Sequence, residues 1–236
     1  MRLGTGVFVA VCGLLSWGCG SSGEPEGEPL KADAEVILDA SSTAMANVQS
    51  VRFDLERSGA DVFIDQFQSL ALDKIKGRFS APGAADAVLT VTVDGNLRTE
   101  LGAIAIGGDI WLSNPVTGKF EVFDTGYDID PSTFFDPKGG WGPLMAALKD
   151  PKLIGVEDRG GKRYHVRGIA PRQQVEIITA GLAGDQDVVM DFWLRRDTGL
   201  VTAAEFETVF AGKTTSWKLG LSSYGADFDI EAPDLD

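Results

Sequence analysis

The sequence predicts an α+β fold dominated by one large antiparallel sheet with a few helices, and three observations carry that prediction. Segments such as Val51–Glu56 alternate apolar and charged residues with period two. Turn signals (Asp94-Gly95-Asn96, Gly107-Gly108-Asp109, Asp197-Thr198-Gly199, Ala211-Gly212-Lys213) separate such segments at short intervals, as in a meander. Only a few stretches change to a helical period. With 236 residues, 44% apolar and 24% charged, the chain can bury a sizeable core. No break after Ala32 resembles a linker, so residues 32–236 read as one domain.

The elements follow in order. Asp33 can cap a helix reaching about Asn47, with Val36, Ala40, Ala44 and Val48 recurring every four residues and Ile37 and Met45 beside them. Strands are expected at Val51–Glu56, Val62–Phe67, Ile75–Ser80, Val88–Asp94, Leu97–Ile106 and Asp109–Ser113. The segment Tyr127–Asp150 is rich in proline and glycine, and holds an expected helix at Trp141–Lys149 with an apolar side. Strands at Leu153–Glu157 and Arg163–Gly168 precede a second amphipathic helix at about Arg172–Ala180. Three strands then close the chain, at Val188–Arg195, Leu200–Phe210 and Thr214–Tyr224.

The N-terminus reads as an address. Met1 and Arg2 precede the apolar run Val7–Leu15, which has the length of a signal-peptide core and is too short to span a bilayer. Gly18-Cys19 follows, so residues 1–18 read as a lipoprotein signal peptide and Cys19 as the lipidated first residue of the mature chain; ordinary secretory cleavage is the alternative. Residues 19–31, rich in Gly, Ser, Pro and Glu, read as a flexible tether.

Composition excludes much chemistry. A net charge of −14 argues against nucleic acid as a partner. Both cysteines, Cys12 and Cys19, lie in the leader region, so the domain has no disulfide or thiolate metal site. His165 is the single histidine and sits in a strand, which leaves no credible nucleophile and base. Asp124–Asp130 lacks the order and the terminal glutamate of a calcium loop. Asp191 and Glu205 could pair as glycosidase carboxylates only if the sheet set them opposite each other. No catalytic residues, metal or cofactor are expected, and the protein reads as non-enzymatic.

Several strands, among them Ala87–Val93 and Val188–Leu194, are apolar towards both faces. Such a sheet must be covered on both sides or face a cavity. The lipobox-like Cys19, the helix at Asp33–Asn47, VLTVTVDG (88–95), DIWL (109–112), the Asp-Pro…Asp-Pro-Lys-Gly-Gly segment within 130–148, YHVRG (164–168), FWLRRDTG (192–199) and LSSYG (221–225) follow in an order that resembles the LppX/LprG lipoproteins of actinobacterial envelopes, whose fold is like that of LolA.

That resemblance spans the mature domain. It implies a single antiparallel sheet curved as a half-barrel around a few helices and enclosing an apolar cavity for acylated lipids or glycolipids, bound as cargo. It also implies a lipid-anchored monomer at the outer face of the cytoplasmic membrane that carries lipid towards the outer envelope, with a membrane exporter as a possible partner. By matching positions, Leu89, Val91 and Val93 would line the cavity. Alternation adds Phe53, Trp111, Phe192 and Leu194, and Trp141 is a candidate lid or membrane-interface contact. The alternative is a structural or signalling lipoprotein whose sheet is fully packed and which acts through surface contacts with an envelope or sensor protein.

Overall fold

The computed structural model describes residues 33–123, 130–158, 161–210 and 212–235. Residues 32–236 form one compact unit, and every helix and strand described lies within it. Eleven strands make a single antiparallel sheet. Helix α1 (Ala34–Ala46) leads into β1 (Ser50–Gly59), β2 (Leu70–Ser80), β3 (Ala84–Val93), β4 (Leu97–Ile106), β5 (Asp109–Ser113) and the short edge strand β6 (Phe120–Val122). A 3-10 turn at Pro131–Phe135 and α2 (Trp141–Ala147) come next. The second half comprises β7 (Lys149–Asp158), β8 (Lys162–Ala170), α3 (Arg172–Ile178), β9 (Val188–Arg195), β10 (Val201–Phe210) and β11 (Lys213–Ser222).

The strand order is β6-β5-β4-β3-β2-β1-β11-β10-β9-β8-β7, so two meanders meet where the first strand pairs with the last. The sheet is open, with β6 and β7 at its edges. It also curls: Ala85 and Ala103 of one meander and Phe206 and Trp217 of the other face the same interior space. Among the described residues no helix is long and apolar enough to cross a membrane.

Three expectations need correction. The buried stripe of α1 is Ala34, Ile37, Leu38, Ser41 and Met45, while Val36 is 66% exposed. Each four-residue step advances about 40° around a helix of 3.6 residues per turn, so the anticipated row cannot stay on one face. Val36 and Ala40 are exposed and only Val48, past the end of the helix, is buried, while Ile37 and Met45 lie in the core as expected. Residues 62–67 are not a strand and make one isolated bridge, Phe63 to Ala71. The Asp65 carboxylate accepts the backbone N–H groups of Ser69 (3.0 Å) and Leu70 (2.8 Å), which folds the run into a loop ahead of β2. Strand β6 was not expected, having only three residues.

Two glycines allow the middle segment to seat. A Cβ at Gly140 would lie 2.2 Å from the Phe134 carbonyl oxygen. At Gly142 it would lie 3.0 Å from the Ser42 carbonyl oxygen, where α2 crosses α1 and the Ser42 hydroxyl donates to the Gly142 carbonyl (2.9 Å). Below this crossing the buried Leu144, Met145 and Met45 join Phe192, Leu194 and Val201 in the main core. Gly142→Val should therefore lower stability by roughly 1–3 kcal/mol through overpacking, read as a shifted urea midpoint. An unchanged midpoint would mean that α2 does not rest on α1.

Candidate functional site

The concave face of the sheet is not filled. Between it and the helical side lies an apolar cavity of about 210 Å³. Its floor is a patch of small residues: Ala85 pairs with Ala105 and Ala87 with Ala103 across β3 and β4, and Gly77 of β2 lies next to Ala87. Where a typical strand would place Leu or Ile, these positions leave room. Phe53 lies against Gly77, where a Cβ would fall 2.4 Å from the ring Cζ. Phe206 and Trp217, stacked at 5.8 Å, close the opposite wall. Phe134, Phe135 and Trp141 of the middle segment, with Ile178 and Leu182 near α3, form the roof.

The lining offers almost no polar chemistry. The Thr179 hydroxyl donates to the Val175 carbonyl (2.7 Å). Asp86 contributes to the wall, but its register with Arg78 and Ile104 turns its side chain to the convex face, where its carboxylate accepts from Arg78 Nε at 2.8 Å. Among the described residues no group of His, Cys, Asp and Glu is placed to hold a metal ion. A chamber of this kind can desolvate a hydrocarbon chain; among the described residues no histidine or cysteine lines it and its one carboxylate, Asp86, is turned away.

The anticipated residues separate into three groups. Phe53, Leu89 and Trp141 line the cavity. Val91 is fully buried in a second cluster with Leu72 and Leu101, with Val93 packed against it. Phe192 and Leu194 lie in the main core. Those four share the concave side with the cavity but do not reach it.

Trp111 is on the wrong face. It pairs with Ile104 and Val122, so Ile110 and Leu112 point inward instead. Trp141 is only 5% exposed, a roof residue rather than a surface contact with a membrane. Cys19 and the rest of residues 1–32 lie outside the described residues, as does most of the Asp124–Asp130 segment. Sequence reasoning missed the alanine floor. Its signal was present as small residues at alternate positions, Ala85/Ala87 and Ala103/Ala105.

The convex face carries the ionic chemistry. Asp191 and Glu205 do stand opposite each other, but Asp191 is held as an ion-pair anchor. Arg167 donates to both of its oxygens (2.9 and 3.0 Å), and His165 Nε2 lies 2.6 Å from Oδ1. His165 Nδ1 lies 3.0 Å from Glu157, and the ring stacks on Trp193 at 4.6 Å. The Trp193 indole in turn donates to Glu157 at 3.0 Å. The cluster ties β7, β8 and β9 together.

Burial pushes the Asp191 carboxyl up, but the bonds from Arg167 and His165 outweigh it and hold it below its ordinary value. The stabilisation from a depressed carboxyl is complete above its unfolded-state pKa and is lost as pH falls through its folded one. Asp191→Asn should therefore cost about 1–3 kcal/mol at pH 7. The urea midpoints of variant and parent should converge as the pH is lowered below the carboxylate range. A gap that persists at acid pH would mean that packing, not charge, is what the substitution removes.

The profile of the LppX_LprAFG lipoprotein family matches residues 33–230, a span that contains every helix and strand described above. LprF from Mycobacterium bovis superposes with a TM-score of 0.65 at 16% identity, over 85% of this chain and 96% of LprF. LppX from Mycobacterium tuberculosis gives a TM-score of 0.60 at 14% identity, over 84% and 98%. No curated protein matches by sequence. At these identities the two structures establish the shared fold, an open antiparallel sheet with helices on its inner side. By the extent of the profile match, the chain belongs to the LppX_LprAFG lipoprotein family.

Proposed function

We propose that this protein binds the acyl chain of a lipid or glycolipid in its concave cavity and carries it between membranes of the cell envelope. The observation that carries this reading is the alanine and glycine floor beneath an aromatic roof, which leaves an apolar space of about 210 Å³ into which no charged side chain among the described residues turns. Moving hydrocarbon through water costs about 0.8 kcal/mol per exposed CH₂, so an acylated lipid needs such a shelter to cross an aqueous compartment. The volume lies below the roughly 300–1,000 Å³ of small-molecule sites and suits one acyl chain rather than several.

In this reading Cys19 bears the lipid anchor and residues 19–31 tether the domain to the outer face of the cytoplasmic membrane. The protein works as a non-enzymatic monomer, and an exporter in that membrane would supply the cargo. The acidic surface, net charge −14, keeps the tethered domain from settling on anionic lipid. The modest volume is also what favours the second reading, an envelope lipoprotein acting through surface contacts.

Filling the floor separates the two. Ala103→Leu, alone or with Ala87→Leu, should lower uptake of a fluorescent fatty acid at least tenfold while leaving the thermal midpoint unchanged or raised, because added side chains occupy existing space. Native mass spectrometry of residues 32–236, purified without detergent from the natural host, should show lipid near one per protein for the parent and little for the variant. A parent that is lipid-free and takes up no added lipid would turn the assignment to the surface-contact reading. Val91 is not the position to test, because a larger residue there would disrupt the second core cluster rather than the cavity.

A further inference from the structure

We propose that one end of the half-barrel, bearing Phe67, Leu97 and Val116, is a membrane-docking rim that dips into the surface of an electrically neutral bilayer. This inference rests on the carrier reading and adds the surface from which cargo is taken or to which it is given.

The three residues sit on three loops at the same end of the sheet. Phe67 is in the loop before β2, Leu97 begins β4 after the β3–β4 turn, and Val116 is in the β5–β6 loop. They are 87%, 64% and 90% exposed. Register brings the first two level: Leu70 pairs with Val93 and Val93 with Leu97, and the Asp94 N–H donates to the Ser69 carbonyl (2.9 Å), so these loops touch. The Gly102 N–H donates to Ser113 Oγ (2.7 Å), so the β5–β6 loop starts beside the middle of β4 and runs on towards the same end.

These side chains are presented by held loops. The Asp65 carboxylate fixes the Phe67 loop through Ser69 and Leu70. The Asn114 side chain accepts the Val116 N–H (2.9 Å). At the opposite end the described turns Ala81-Pro82-Gly83, Gly107-Gly108 and Arg196-Asp197-Thr198-Gly199 carry no large apolar residue.

The chemistry favours a bilayer over a protein. Phe67 and Val116 are flanked by uncharged residues, Gln66 and Gln68 and then Pro115 and Thr117, while Leu97 has Asn96 on one side and the exposed Arg98 on the other. Protein partners take a contiguous apolar centre, whereas a fluid headgroup layer accepts separate tips, each surrounded by its own polar neighbours. Net charge −14 disfavours an anionic surface. The rim also leads inward, since Ile64, three residues before Phe67 on the same loop, lines the cavity.

The test uses residues 32–236, the compact unit that holds all the described elements, and vesicles of pure phosphatidylcholine. Combining Phe67→Asp, Leu97→Asp and Val116→Asp should lower flotation with vesicles, and the rate of fluorescent acyl-lipid transfer from them, at least tenfold. Uptake of a fluorescent fatty acid from monomeric solution should not change. Val36→Asp, at an exposed apolar site on α1, should change neither. The proposal is overturned by undiminished flotation of the triple variant, by an equal loss in the Val36 variant, or by parental flotation that requires anionic lipid and vanishes in salt. Flotation lost as expected, with a parent that takes up no fatty acid, would overturn the carrier reading and leave the rim standing.

Discussion

An eleven-stranded sheet with an apolar concave face presents more hydrocarbon than three short helices can cover, and the rest of the structure follows from that mismatch. Helix α1 and α2, crossing at Gly142, protect the half built from β7 to β10, where Met190, Phe192 and Leu194 are completely buried. Over β3 and β4 the covering layer is thinner. It consists of the 3-10 turn, the edge of α2 and the residues following α3. Had β3 and β4 carried large inward residues throughout, those would have met the roof and made an ordinary core. They carry alanine at four facing positions instead, so sheet and roof stand apart and the gap is the cavity.

The two faces of the sheet are specialised accordingly. On the convex side, charged residues pair across strands: Arg78 with Asp86, Arg167 with Asp191, Lys74 with Glu56. Most such pairs are exposed and add little stability. The His165 cluster is the exception, because its ring is nearly covered and is bracketed by two carboxylates. Ionic chemistry on one face and hydrocarbon on the other is what an open sheet needs if one side meets water while the other encloses an apolar guest.

Much of this architecture was legible in the sequence because strand alternation and turn residues are local signals. VRFDLER, Asp94-Gly95-Asn96 and Asp197-Thr198-Gly199 each mark their element without outside help. The errors fall where a tertiary choice decides. Residues 62–67 have strand propensity, but Asp65 accepts the backbone donors of the following residues and makes a loop. Trp111 has the size and neighbours of a cavity residue, yet a shift of one position separates the two faces of a strand, and only pairing with Ile104 settles which face it takes. Val91, Val93, Phe192 and Leu194 point to the correct side, but alternation reports the face of a sheet and not how near the roof comes. The cavity was least legible because it is defined by absent side-chain volume. Alanine at alternate positions is weak as a strand signal and easily passed over beside Val, Ile and Phe.

That missing volume is the strongest argument about what the domain is for. Apolar space left beside a core forgoes the contacts that larger side chains would make there, and about 210 Å³ of it stands open along this face. Leucine at position 87 or 103 would reduce the void without adding a polar group or a strained backbone. A protein working only through its outer surface gains nothing from alanine there and forgoes that stabilisation. A protein that must admit a hydrocarbon chain needs those positions small, because the guest makes the contacts that leucine would have made.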